Sequence, residues 1–224
     1  MARNATLKEI KDRVYELGEL RPVYVSEIAL REEINQSLAD LCAQIVQTDQ
    51  GYYEKTDVVT VVSGTDSYAL PADYFKTLGV DVLQGDGSTY VNLRKYNYAD
   101  RNMFSTGDGV ERTNYRIRGN FLSLIPTPSW DGTVRHLYAP TAPKLVGDGD
   151  TFDGIAGMED FVVYDCLCKF IGGKEESDAS VWMDLRERAR QRVLSALKHR
   201  DRAEPDRIRD VDQEEARVWP RRGY

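Results

Sequence analysis

Histidine and cysteine are scarce in this chain, with two and three residues among 224. His136 falls in a strand-like stretch and His199 near the end of a helical one, and neither has the nucleophile and acid beside it that would suggest a hydrolase triad. His199 reads as a cation at the negative end of its helix, and His136 as a strand residue half facing solvent. Cys42, Cys166 and Cys168 form an odd set in apolar surroundings, which suits reduced, buried thiols of a cytoplasmic protein rather than a disulfide framework. Two residues apart on a helix, Cys166 and Cys168 diverge by about 200°, which argues against a structural zinc site. No apolar run approaches the roughly 20 residues that cross a bilayer. The first residues lead straight into an amphipathic segment instead of a secretory signal. A basic excess is missing as well. Lys and Arg number 30 against 37 Asp and Glu, a net charge of −7, which excludes a general coat for DNA or RNA. The same charge suits a wall past which nucleic acid slides without sticking.

Two further signatures fail on inspection. The glycine-rich turns are not followed by Lys-Ser or Lys-Thr, so there is no phosphate cradle. Asp148-Gly149-Asp150-Thr151-Phe152-Asp153-Gly154 alternates acid and glycine in the manner of hard-cation loops, but its third Asp falls where an EF-hand needs glycine. It reads as a solvated turn whose Asp side chains bond nearby backbone amides. These readings assign no metal, no cofactor and no catalytic residue, and the chain is expected not to be an enzyme. A cell-wall hydrolase would need a carboxylate pair or a metal cluster in a cleft.

What the chain does have is a patterned core, with 41% hydrophobic residues. Leu7, Ile10, Val14 and Leu17 make one helical stripe over residues 6–17, opened by a Thr6/Glu9 capping box and closed at Gly18. A second helix begins near Ser26 and carries the stripe Ile34, Leu38, Leu41 and Ile45. Strand signals follow at residues 57–63, 68–70, 78–83, 89–94, 114–118, 121–125 and 133–138, with a short polar helix near 98–104 and a loop at 107–109. The two-residue turn Gly119-Asn120 predicts a hairpin pairing Arg118 with Phe121, Ile117 with Leu122 and Tyr115 with Leu124. Residues 158–171 are apolar nearly all round, as a central helix is. A last helix over 178–200 turns Val181, Trp182, Leu185, Ala189, Val193, Ala196 and Leu197 inward.

The expected fold class is therefore α+β. Two N-terminal and two C-terminal helices form a four-helix bundle from residues 1–51 and 155–203, an antiparallel β unit of five to seven strands is inserted at 52–154, and an extended arm closes the chain at 204–224. That arm follows a helix broken by Pro205 and has no core of its own. It nevertheless carries Arg217, Val218, Trp219, Arg221, Arg222 and Tyr224. Aromatic and Arg side chains are the usual anchors of interfaces, so the arm reads as a peptide that orders on a partner. The alternative is an ordinary unordered chain end. Arg186, Arg190 and Lys198 belong to a basic face of the last helix, either solvated and paired with Asp184 and Glu187 or set against an acidic partner or a like subunit.

Several strings together resemble the tailed-phage head-to-tail adaptor proteins, also called connector or head-completion proteins. They are Tyr68-Ala69-Leu70-Pro71-Ala72-Asp73-Tyr74, the hairpin from Tyr115 through Gly119-Asn120 to Ile125-Pro126-Thr127-Pro128, and Tyr138-Ala139-Pro140-Thr141-Ala142-Pro143-Lys144-Leu145 leading to Asp150-Thr151-Phe152-Asp153-Gly154. Ile34-Asn35-Gln36-Ser37-Leu38 in the second helix fits as well. The resemblance runs through nearly the whole chain in order. It implies a virion protein of the neck, made in the host cytoplasm, in a homo-oligomeric ring of usually twelve subunits beneath the portal. It implies an arm that docks into the portal, a tail or nozzle protein on the other side, and double-stranded DNA passing through the hole without sequence-specific binding. Another neck or tail-tube ring of the same particle is the rival reading.

Overall fold

Thr6 starts the first helix, α1 (Leu7–Leu17), through a reciprocal cap. Its hydroxyl accepts from the Glu9 amide at 3.2 Å, and the Glu9 carboxylate accepts from the Thr6 amide at 3.0 Å. Ser26 caps α2 (Glu27–Thr48) in the same way, accepting from the Ala29 amide at 3.2 Å. The computed structural model describes residues 5–20, 25–49, 51–100, 113–152, 154–171 and 176–200, with backbone alone at residues 100, 176–179 and 198–200. In the C-terminal half lie α3 (Met158–Ile171) and α4 (Glu176–Arg200).

These four helices share one apolar core. It takes Leu7, Ile10 and Val14 from α1, and Ile34, Leu38, Leu41 and Ile45 from α2. Cys166 and Leu167 of α3 and Ala189, Val193 and Leu197 of α4 complete it. Burying each such aliphatic side chain contributes about 1.5–3 kcal/mol, so this core is the main favourable term for the helical part. Gly18 permits the closest approach of α1 to α3, because a Cβ there would lie 2.7 Å from Leu167. On α4 the inward stripe is Trp182, Leu185, Ala189, Val193 and Leu197. Val181 is 56% exposed and Ala196 is exposed too, contrary to their predicted inward placement. Each sits one residue, about 100°, off the stripe.

Among the described residues eight strands, rather than the expected five to seven, lie between the helical pairs: β1 (Lys55–Val61), β2 (Ser67–Ala69), β3 (Tyr74–Leu83), β4 (Tyr90–Asn92), β5 (Arg94–Lys95), β6 (Asn114–Arg118), β7 (Phe121–Ile125) and β8 (Gly132–Pro140). They make two four-stranded sheets, ordered β1-β8-β3-β4 and β2-β7-β6-β5. All pairings are antiparallel except β5 with β6, which is parallel. The β6–β7 hairpin has the predicted register, Arg118 with Phe121, Ile117 with Leu122 and Tyr115 with Leu124. Val80, Val82 and Val134 of the first sheet join Tyr115, Leu122 and Leu124 of the second in a separate apolar cluster. The short helix predicted near 98–104 is a 3-10 turn at Tyr98–Asp100, and the rest of that segment, with the loop at 107–109, lies outside the described residues.

The connection back to the helices is clamped. Asn35 of α2 donates to the Leu145 carbonyl at 3.0 Å and accepts from the Leu145 amide at 2.8 Å. The carbonyls of Asp150 and Asp148 accept from the Leu7 and Lys8 amides of α1 at 2.9 and 3.1 Å, filling donors that a helix start otherwise leaves open.

His136 corrects the expectation of a half-solvated residue, for it is fully buried. It lies on the face of β8 that also carries the buried Val134 and Tyr138, while Arg135 and Leu137 on the other face are half-buried. Its Nε2 is 3.0 Å from Thr77 Oγ1, its ring stacks on Tyr138, and its buried Nδ1 has no hydrogen-bond partner. Burial holds its pKa below the usual value of 6.5, with the Asp57 carboxylate opposing part of that shift. The folded state therefore binds fewer protons than the unfolded chain, and stability falls as pH drops through the unfolded value. Urea unfolding followed at pH 7.5 and 5.5 should show this loss, with a slope of at most about 1.4 kcal/mol per pH unit from this group. The His136→Gln variant should lose that part of the slope, and an unchanged slope would show that His136 is not its source.

Candidate assembly interface

One buried carboxylate in the helical part gathers partners from three helices. Asp165 lies on α3 in the otherwise apolar run Phe161-Val162-Val163-Tyr164-Asp165-Cys166-Leu167, and its side chain is 8% exposed. Its Oδ2 accepts from Ser37 Oγ of α2 at 2.5 Å and pairs with Lys169 Nζ at 2.8 Å, one helical turn on. Its Oδ1 accepts from an Arg186 guanidinium nitrogen of α4 at 3.1 Å. Lys169 in turn pairs with Glu33 of α2. Burial alone would raise the Asp165 pKa, but the hydrogen bonds from Lys169 and Ser37, with Lys169 charge and the Arg186 bond, outweigh it and hold the carboxyl below its ordinary range. One ion thus joins three helices. The sequence did signal it, as a lone Asp with Lys at i+4 inside an apolar run, but its partners on other helices could not be read locally.

The basic residues singled out on α4 are placed as follows. Arg186 takes part in the Asp165 cluster. Arg190 grips both oxygens of Glu187 at 2.9 Å and donates to Gln44 of α2 at 2.9 Å. Arg188 pairs with Asp184 at 2.6 Å. The Lys198 and His199 side chains lie outside the described residues, as do Arg217, Val218, Trp219, Arg221, Arg222 and Tyr224 of the arm.

The Asp148–Asp150 segment behaves as a turn. Asp150 Oδ2 accepts from the Val146 and Gly147 amides at 2.8 and 2.9 Å, and these bonds lower its pKa. Asp148 pairs with Lys11. All three cysteines are buried and free, and burial pushes the Cys42 and Cys166 thiols up to about 11 and 12. They stay protonated at neutral pH and act as small apolar residues. Among the described residues no group of three or more His, Cys, Asp or Glu side chains could hold a metal ion. Among them, too, no helix is long and apolar enough to cross a membrane.

Buried polar groups such as Asp165 and Lys11 fasten one element to another. Comparison with known families gives the class of protein. The chain belongs to the SU10 adaptor protein family, whose model matches residues 5–210. It is a family of phage structural adaptors, virion components and not an enzyme family. No curated protein matches the chain significantly. The matched span takes in all four helices and both sheets and stops short of residues 211–224.

Removing the Asp165 carboxylate should leave Lys169 and Arg186 without their shared counter-ion. Asp165→Ala is expected to destabilise the protein by about 1–3 kcal/mol, below the range for a wholly buried pair because both cations are partly exposed. Chemical denaturation measures this directly, and a loss under about 0.5 kcal/mol would show that the cluster is not a stabilising link.

Proposed function

We propose that this chain forms the adaptor ring between portal and tail in the neck of the phage particle, with twelve copies as the simplest count. In this reading the helices are a bundle that forms the body of the ring, residues 204–224 leave it as an arm seated in the portal, and the β unit faces the tail or nozzle protein. Double-stranded DNA crosses the central hole without being read, in keeping with the net charge of −7. The completed ring closes the DNA-filled head, readies it for tail attachment and conducts DNA during ejection.

One observation carries this reading. A folded body matching an adaptor family is followed by a segment, beyond the match, that brings Trp219, Tyr224 and three arginines to a stretch with little apolar content. Rigid aromatics and planar guanidinium groups give an arm high contact energy per residue ordered. Arg217, Val218, Trp219, Arg221, Arg222 and Tyr224 are the anchors in this proposal. The α4 face carrying Arg186, Arg190 and Lys198 is a second contact. Each guanidinium nitrogen of Arg190 already bonds Glu187 or Gln44, whereas Arg186 bonds Asp165 through one, so Arg186 contributes more of it.

Deleting residues 218–224 should abolish attachment of the protein to filled heads, measured by co-sedimentation, while leaving its thermal unfolding unchanged. Undiminished attachment would refute the role of the arm. On the β unit, Gly85→Lys meets no atom within 4 Å and needs no positive φ, so it adds charge to the residue 85–88 loop without strain. Combined with Asp108→Lys it should block tail joining and leave filled heads intact. Fully infectious particles would exclude these loops from the tail contact. A six-fold count in an image of the neck would favour a tail-tube ring over the portal-adjacent ring.

A further inference from the structure

Charges on the described surface are, for the most part, neutralised within the chain. Lysines and arginines from Lys11 in α1 to Arg192 in α4 hold a carboxylate of their own molecule. Apart from Lys8 and Lys76, the described cations outside such ion pairs gather in one place, on β5 and β6. Arg94 stands level with Asn114 in the parallel register, on the same face as Arg116 and Arg118, and Lys95 occupies the sheet edge beside them. Arg116 lies over the Tyr98 ring at 5.2 Å, and Arg118 donates to the Tyr96 hydroxyl at 2.6 Å, with Asp66 as the acid acting on it. Among the described residues these contacts hold the guanidinium groups in place but supply little opposite charge. Tyr98 and Phe121 add apolar surface, 53% and 50% exposed. A row of arginines among exposed aromatics has the composition of an interface core.

The matching surplus is on α1. Glu9, Asp12 and Glu16 recur at helical spacing on the face opposite Leu7, Ile10 and Val14, and all are exposed. Among the described residues none of them is in an ion pair, and Glu9 bonds only the Thr6 amide of its own cap. Among the other described acids outside ion pairs, Asp49, Asp86, Asp131, Asp150 and Glu159 bond backbone amides, and Glu19, Glu54, Asp57 and Asp66 do not share one helix face. Leu17, 43% exposed, adjoins Glu16 at the end of the stripe. The dimensions agree. From Arg94 to Arg118 the cations span about 13 Å along the sheet. From Glu9 to Glu16 the anions span about 10 Å along the helix.

We propose that the basic, aromatic face of β5 and β6 binds the acidic α1 stripe of a second copy of this chain. Such a contact joins two different surfaces, so repetition propagates around a ring instead of stopping at a pair. The inference rests on the ring-forming reading above and names the surfaces that would close it.

Sedimentation velocity of the purified full-length chain over a range of concentrations, in about 50 mM salt where exposed charges are weakly screened, tests it. The unaltered chain should self-associate. Arg94→Glu with Arg116→Glu, and separately Asp12→Lys with Glu16→Lys, should each weaken association at least tenfold without altering the circular dichroism spectrum or melting temperature. An equimolar mixture of the two reversed proteins should associate again, because each then offers the surface its neighbour lacks. Absence of association by the unaltered chain, indifference to either reversal, or failure of the mixture to recover would overturn the inference. So would a titration in which the sheet reversal abolishes binding to duplex DNA and leaves self-association unchanged. Attachment of the unaltered chain to filled heads is measured in parallel. Its failure would count against the adaptor reading, whereas normal attachment with charge-insensitive association would remove the proposed contact alone.

Discussion

A buried carboxylate organises the helical body. The apolar core brings the four helices together through contacts that many relative rotations would satisfy, since burial has no direction. Asp165 adds direction. Its two oxygens receive Ser37 from α2, Lys169 from α3 and Arg186 from α4, so α2 and α4 must meet α3 at one height and one rotation to satisfy it. A buried ion gives little net stability over an apolar substitute, but leaving it unpaired is costly. That asymmetry penalises slipped packings of the helices more than it strengthens the correct one.

The β unit is specified differently. Its central strand, β8, pairs with both β1 and β3, so its residues lack an open flank. One face of β8 is covered, and there His136 is held neutral among Tyr74, Tyr138 and Thr77. The second sheet leaves Arg116 and Arg118 on its outer side while Tyr115, Leu122 and Leu124 face the first. Strand alternation therefore sorts apolar from basic residues on the same hairpin.

Local chemistry made much of this legible. The Thr6/Glu9 box, the uninterrupted apolar run of α3 and the Gly119-Asn120 turn are specified by residues within a few positions of each other, and their boundaries or registers follow. What escaped depends on neighbours far along the chain. The burial of His136 follows from Tyr74 and Thr77, about sixty residues earlier, lying against its face of β8, the parallel β5–β6 pairing from a connection of about twenty residues, and the partners of Asp165 from helices more than twenty and one hundred residues away. The inward stripe of α4 was misread at Val181 and Ala196 because a weakly amphipathic helix gives little phase information within 100°. Of the candidate site, the α4 arginines and their pairing with Asp184 and Glu187 on the same helix could be read locally, but the reach of Arg186 to Asp165 and of Arg190 to Gln44 could not. The arm was read from its residue types alone.

The loop contacts at the start of α1 have a temporal side. The amides of Leu7 and Lys8 are capped by carbonyls of Asp150 and Asp148, and the stripe of the same helix packs against α3. Both partners emerge from the ribosome well over one hundred residues after α1, a delay of roughly 7 to 28 seconds at about 5–20 residues per second. The strands, contiguous in sequence, are complete before then. The first two helices are therefore made before the strands and α3 but are among the last of these elements to be seated, and until α3 appears their apolar stripes are open to chaperones and to one another.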